Sequence, residues 1–561
     1  MALSITLGAR TWIERLWSGI ADRGRPYADV PAAATPPLDR AKLLTAALLS
    51  ERGEASGAAV ARELLKVMGG LEAGDRAAFR HFLAGNFLPD QEKLRAAAEA
   101  YLADSSPERA MALFECAEPP RQEVLRRMNM APGGTAALVA LRSELLASLK
   151  REPALKPLDT DLQHLFTSWF NRGFLELRRI DWDTPAAILE KLIQYEAVHE
   201  IEGWDDLRRR LAPDRRCFGF FHRALPGEPL IFVEVALVKG LASAVQPLLA
   251  RSKDPAPQPE AGFDTAIFYS ISNCQDGLRG ISFGNFLIKQ VVEELKAELP
   301  GLTQFSTLSP VPGFRRWLHR KLERDANALA PEERGALAAL VPAPQEERSE
   351  EAGPPSLAAL LDQATEGAWW RNTAREAALR APLLRLAAEY LTRPNSGMGA
   401  IDPVARFHLG NGAQLERINW LGNTAPRGMQ ESYGVMVNYL YDPERIEANH
   451  EAFTRSGTVA RSAAVEAMLA QPRLPAPAAA PAAASAAASA VRTRLPRLLG
   501  GVATPAPAPA PAAIAAPAAP APAPASAVSQ GASQGASQGA PQVTPGAAQP
   551  EAAAAGRETA S

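Results

Sequence analysis

Residues 264–317, DTAIFYSISNCQDGLRGISFGNFLIKQVVEELKAELPGLTQFSTLSPVPGFRRW, read as strand, tight glycine-bearing turn, helix, strand. No other stretch constrains the fold as much. A turn set directly before a helix points the helix's free backbone N–H groups outward, and such an end binds phosphate. The second strand runs out into FSTLSP, a hydroxyl-rich loop close to where that ligand would lie. A phosphate cradle with hydroxyls nearby points to a phosphate-tailed substrate such as a coenzyme A thioester.

Periodicity organises the rest. Phe283, Leu287, Val291 and Leu295 recur every four residues and give the central helix one buried face. Upstream, RCFGFFHRAL and PLIFVEVALV, joined through Pro226-Gly227, read as a hairpin, and TAIFYSIS as a third strand. Residues 41–211 carry helical patterns almost throughout. Leu43, Leu44, Ala47 and Leu48 form one stripe; Val60, Leu64, Leu65 and Met68 form another. Pro132-Gly133-Gly134 breaks a helix, and Thr184-Pro185 starts one. Helices return over 315–393. In the last mixed segment, 401–455, Val435, Val437, Tyr439 and Tyr441 alternate as in a strand.

These patterns predict an α+β chain in four parts. Residues 1–40 are a leader and linker, 41–211 a helical domain, 212–470 a mixed α/β domain with a helical insertion at about 320–395, and 471–561 a Pro/Ala-rich tail. The tail has too little large apolar surface to offset its ordering entropy and is expected to stay disordered. With 561 residues, 47% of them hydrophobic, the rest can bury more than one core. A net charge of −2 excludes a general nucleic-acid binder. Cys116, Cys217 and Cys274 are far apart and odd in number, which excludes a disulfide scaffold or zinc site and fits a reducing compartment. No apolar run is long enough to cross a bilayer. Trp12, Ile13, Leu16, Trp17 and Ile20 fall on one face of a short leader helix among arginines. The cytoplasm is the expected location, with the mitochondrial matrix as the alternative.

Acetyltransferase-like (GNAT) folds hold the pyrophosphate of coenzyme A on R/Q-x-x-G-x-G/A, followed by a helix. Arg279-Gly280-Ile281-Ser282-Phe283-Gly284 matches, with Ser282 in place of the first glycine. The chemistry uses backbone N–H groups and the helix dipole; small residues let the chain approach the anion. GxxxxGK[ST], GxGxxG and HExxH are absent, so NTPase, dinucleotide and zincin chemistry are not signalled. Of seven histidines, His81, His164 and His199 lie on helical patterns, His222 packs beside Phe221, His319 sits on a basic helix and His450 is a helix cap. His408 differs. It precedes Leu409-Gly410-Asn411-Gly412, a glycine-flanked turn, with Arg417, Asn419 and Trp420 beyond. Ser306, Thr307 and Ser309 either turn the chain before Pro310 and Pro312 or offer a hydrogen bond to a ligand.

Taken together, RQEVLRRMNMAPGGTAALVALRSELL, WFNRGFLELRRIDWDTPAAILEKLIQYEAVHEI, the phosphate segment, FSTLSPVPGF and DPVARFHLGNGAQLERINWLG resemble the malonyl-CoA decarboxylases over most of residues 120–455. The resemblance implies a helical oligomerisation domain, a GNAT-like catalytic domain, a homotetramer and conversion of malonyl-CoA to acetyl-CoA and carbon dioxide. It puts the catalytic serine at Ser306 and the catalytic histidine at His408. It puts the malonyl-CoA loop at Asp276, Gly277, Leu278, Arg279, Gly280, Ile281 and Ser282, with Gly284, Ser306 and His408 completing the binding set. No metal or separate cofactor is expected, because coenzyme A is part of the substrate and its thioester is the electron sink. A GNAT-type acyltransferase and a non-catalytic acyl-CoA sensor are the alternative readings.

Overall fold

Apolar spacing sets the first half of the chain. In the helices Pro37–Ser50 and Glu54–Gly69 the residues that go inside are Ala41, Leu44 and Leu48, and Val60 and Leu64. Leu43, placed by pattern on the first stripe, is exposed instead, because the buried face follows the i, i+3, i+7 set that starts at Ala41. The computed structural model describes residues 16–470 except 17, 29, 51–52, 251–261, 282–286, 326, 342–354 and 394–401. The Pro/Ala tail and, within the phosphate motif, Ser282, Phe283 and Gly284 lie outside the described residues, as do Trp12, Ile13 and Trp17 of the leader. Helix follows helix up to α1 (Gly134–Ser148) and α2 (Lys156–Trp169), which share one apolar core.

A mixed sheet comes next. Its strands are β1 (Leu175–Ile180), β2 (Arg215–His222), β3 (Pro229–Val238), β4 (Thr265–Asn273), β5 (Gln304–Thr307), β6 (Ser309–Pro310), β7 (Gln414–Asn419) and β8 (Met436–Leu440). The order is β1-β2-β3-β4-β5-β8-β6, with β7 also on β8. The hairpin β2–β3 and the strand β4 lie where their apolar runs predict. β1 does not follow from the pattern. It falls within residues read as helical, because LELRRI carries charges along an outer strand, where they face water and guard the edge. The mixed domain therefore begins near Leu175. α3 (Ala186–Tyr195) and α4 (Trp204–Arg210) pack beneath β2 and β3 through Leu189, Leu192, Leu207, Cys217 and Phe232.

Among the described strands only β4 and β5 run parallel. The connection between them carries α5 (Leu287–Glu298), whose Leu287, Ile288, Val291, Val292 and Leu295 are buried. Their register ends at Phe268↔Thr307, while β4 runs on to Asn273. Residues Tyr269–Asn273 thus have β3 on one side and, among the described residues, no strand on the other. A slot opens there, and the Gly277–Gly280 turn stands at its end. A helical region followed by this sheet is a mixed α/β architecture. The insertion closes with α6 (Thr373–Thr392), and α7 (Pro403–Gly410) follows. Among the described residues no helix is long and apolar enough to cross a membrane.

Candidate active site

The chain bends where β5 ends. Leu308 N–H still donates to Phe268 O of β4 at 2.9 Å, while Ser309 moves across to pair with Val437 of β8. Ser306, Thr307 and Ser309 therefore all meet β8, Ser306 through its pairing with Leu440. The Ser306 hydroxyl is fully buried and donates to Tyr439 O at 3.1 Å. Its structural surroundings are backbone; it does not reach His408.

His408 arrives on α7. Asp402 caps that helix, its Oδ1 accepting from Val404 N at 2.9 Å and Ala405 N at 3.1 Å, and Pro403 fills the first helical position. Tyr390 of α6 donates to the other carboxylate oxygen at 3.1 Å, fixing the cap within the core. At the far end Gly412 has φ 83°, and a Cβ there would stand 2.1 Å from Ile446 O, so glycine is required. His450 Nδ1 donates to Gly410 O at 2.7 Å, the cap expected of it. His408 is thus in the last turn of a helix and not in a glycine loop. The Asp-Pro start signal outweighs the glycines.

The imidazole is 2% exposed. It stacks on Tyr439 with centroids 4.6 Å apart. Nδ1 lies 2.8 Å from Tyr441 Oη, and Nε2 lies 3.0 Å from Ser309 Oγ. Ser309 donates its proton to Thr307 Oγ1 at 2.9 Å, and the same oxygen accepts Tyr439 N–H at 3.2 Å. Ser309 Oγ is then the acceptor of an Nε2–H proton, and Tyr441 O–H donates to Nδ1. One consistent chain of protons runs Tyr441, His408, Ser309, Thr307. Asn438 holds it from behind: Nδ2 donates to Thr307 O at 2.7 Å, while Oδ1 accepts from Asn419 Nδ2 at 2.8 Å and Arg417 Nε at 3.1 Å. Arg417 and Asn419, noted after His408 in the sequence, act through this amide. Tyr441 and the Ser309–His408 pair were not assigned from sequence; the tyrosine alternation in β8 was the available signal.

Burial without a carboxylate partner lowers the His408 pKa from 6.5 to about 3, so the folded imidazole is neutral at ordinary pH. In the unfolded chain it takes its proton near 6.5. The unfolded state binds that proton throughout the interval, so His408 costs the protein stability progressively as pH falls from about 6.5 toward 3. In His408→Gln the acid-side decline of the urea midpoint should be shallower than in the wild type. Identical slopes would mean the imidazole is charged or solvated in the native state.

The turn at the slot's end is built by the helical domain. Asp276–Leu278 is a single 3-10 turn, and Gly280 has φ 80°. A Cβ on Gly277 would lie 1.9 Å from Val139 O of α1, so only glycine lets the turn approach that helix. Arg142 of α1, 2% exposed, donates to Gly277 O at 2.7 Å, Arg279 O at 2.9 Å and Asp159 Oδ1 at 3.0 Å. Leu278 and Ile281 are buried as anchors; the Arg279 side chain is exposed and paired with Asp276. The structure brings His408 and Ser309 together beside the slot and sets Asp276–Ile281 at its end. Ser282 and Gly284 lie outside the described residues.

Helical region, parted parallel strands, glycine turn and a buried imidazole define a mixed α/β protein with a helical domain in front. Residues 87–170 match the model of the malonyl-CoA decarboxylase N-terminal domain, and residues 173–478 that of the malonyl-CoA decarboxylase C-terminal domain. The mitochondrial malonyl-CoA decarboxylase of Anser anser anser is 36% identical over 422 residues, covering 73% of this chain and 83% of its own. The crystal structure of malonyl-CoA decarboxylase from Rhodopseudomonas palustris is 50% identical and superposes with a TM-score of 0.68, over 77% of this chain and 99% of that one. Its counterpart from Agrobacterium vitis is also 50% identical, with a TM-score of 0.67 over 76% of this chain and 99% of that one. The chain belongs to the malonyl-CoA decarboxylase family.

Proposed function

We propose that this protein is a carboxy-lyase that converts malonyl-CoA to acetyl-CoA and carbon dioxide, with His408 as proton donor and Ser309 and Tyr441 as its partners. The observation that carries the residue assignment is the buried hydrogen-bonded line Tyr441–His408–Ser309 beside the slot between β4 and β8. Cleavage of the bond between the α-carbon and the carboxylate releases neutral carbon dioxide. Its electron pair moves into the thioester, leaving an enolate whose oxygen carries the charge. Hydrogen-bond donors fixed before the reaction lower that barrier without reorganising. In the line as it stands Nε2–H is given to Ser309 Oγ and Ser309 O–H to Thr307 Oγ1, so a thioester oxygen entering this nearly dry pocket takes the Nε2–H in place of Ser309 Oγ. The α-carbon then takes the Nε2 proton as the Tyr441 hydroxyl proton passes to Nδ1, and the tyrosinate so formed recovers its proton from water when the product leaves. Asp276–Ile281 holds the coenzyme A phosphates and sets the orientation. Ser306, engaged with Tyr439 O, ties β5 to β8.

Purified protein with malonyl-CoA should form acetyl-CoA and carbon dioxide with no acceptor amine present. A requirement for an acceptor would turn the reading to acyl transfer; binding without turnover would turn it to a sensor. Ser309→Ala should lower kcat about a hundredfold, and Ser306→Ala much less. The reverse ranking would make Ser306, the serine favoured by the family resemblance, the working hydroxyl.

The same reading includes a cytoplasmic homotetramer joined through the helical domain. The helical hairpin of Gln91–Ala103 and Pro107–Ala117 buries none of its own residues and exposes Leu102, Met111 and Phe114, which supports a role between subunits.

A further inference from the structure

At the far edge of the sheet, where β1 ends and β2 begins, is a cleft of about 370 Å³. Arg179, Trp182, Arg208, Arg215 and Arg216 line it, with Asp181 the single lining carboxylate. The local ion pairs do not balance. Asp214 serves both Arg209 and Arg215, and Glu298 serves both Arg179 and Arg216. Asp181 lies 3.8 Å from Arg179. Counting these partners, five guanidiniums, four of them lining the cleft, are set against three carboxylates, and Arg208 has no carboxylate partner among the described residues. Arg215 is 4% exposed, and its Nε–H finds no acceptor. Burying a cation with an unmade hydrogen bond is costly unless an anion completes the site. Arg208 instead lies over the Trp182 ring, 5.2 Å from its centroid, and the indole remains 44% exposed. Guanidinium on indole is a platform on which a flat ring can continue the stack.

The cleft is remote from the thioester slot. Its floor residue Cys217 pairs with Glu234, and the sheet order sets four strand spacings between β2 and β8, on which His408 rests. At ordinary strand spacing that is about 20 Å. We propose that this cleft binds a purine nucleotide, its phosphates on the arginines and its base on Trp182, at a site separate from that of the thioester.

Full-length protein saturated with coenzyme A, so that the substrate slot is filled, is titrated calorimetrically with ADP and, in parallel, with inorganic pyrophosphate. ADP should bind in the presence of coenzyme A, and more tightly than pyrophosphate. Arg208→Glu and Trp182→Ala, both exposed positions outside the catalytic machinery, should each weaken ADP binding about tenfold and leave kcat for malonyl-CoA unchanged without nucleotide. Three outcomes overturn the proposal: no ADP binding, ADP displaced by coenzyme A, or ADP affinity undiminished in Arg208→Glu. Pyrophosphate binding as tightly as ADP would equally overturn it, since the base would then contribute nothing.

Discussion

His408→Ala should lower kcat by about two to four orders of magnitude, an increase of roughly 3–5 kcal/mol in the barrier. Its KM for malonyl-CoA should change little. The asymmetry follows from where the groups sit. In the proposed reading the imidazole meets the reacting end of the substrate, whereas coenzyme A is held by the Asp276–Ile281 turn on another part of the sheet. A donor that matters mainly once charge has formed on the thioester oxygen is felt in the transition state and not in the ground state. The substitution also strips a partner from Tyr441 Oη and Ser309 Oγ, both in the core. Each buried group left unmatched costs about 1–3 kcal/mol, so thermal unfolding has to accompany the kinetics. Tyr441→Phe is the companion variant. It retains the imidazole and its contact with Ser309 but removes the hydroxyl proton donated to Nδ1. If that proton supports transfer from Nε2, kcat falls in Tyr441→Phe with the fold intact. A folded His408→Ala enzyme with undiminished kcat would remove the imidazole from the mechanism.

The parts of this fold that can be read from residue order are those whose signal is local. β2, β3 and β4 are long apolar runs buried on both faces, and no helix of that composition would fit between the turns that bound them. β1 carries three charged residues in six, because one side of an edge strand meets solvent, so its pattern resembles a helix surface. His408 could be singled out by its neighbours, but the helix that holds it depends on Asp402, whose second partner, Tyr390, is supplied by α6. The choice between Ser306 and Ser309 turns on Leu308. Simple alternation would put residues 306 and 309 on opposite faces of one strand. The bend at Leu308 ends one strand and starts another, and that restart decides which hydroxyl meets the imidazole. Arg142 is the extreme case. It lies in a helix whose pattern is apolar nearly all round, and its partners are 135 and 137 residues away. Nothing in local order distinguishes it from a solvated arginine.

That residue yields the second large effect. Arg142→Met should destabilise the protein by about 3–5 kcal/mol, the usual consequence of breaking a buried ion pair from one side. Lys156 remains 2.8 Å from Asp159 and is well exposed, so the carboxylate keeps one cation and the loss should fall toward the lower end. The two carbonyls, of Gly277 and Arg279, keep nothing equivalent. Because Gly277 is packed against Val139 O with no room for a methyl group, the turn cannot shift inward to recover a donor from α1. It is expected to loosen outward, toward the side on which the proposal puts coenzyme A. KM for malonyl-CoA should then rise about tenfold, with a smaller change in kcat, opposite in kind to His408→Ala. Arg142→Lys separates charge from geometry. The ammonium can still pair with Asp159, but a single nitrogen cannot reproduce the planar fork that serves two carbonyls and a carboxylate together. Its stability should recover more than its KM. Were Arg142→Met to lose stability while KM stayed at the wild-type value, the clamp from α1 would be architectural alone. The grip on the phosphates would then have to come from the far side of the turn, where the chain enters α5.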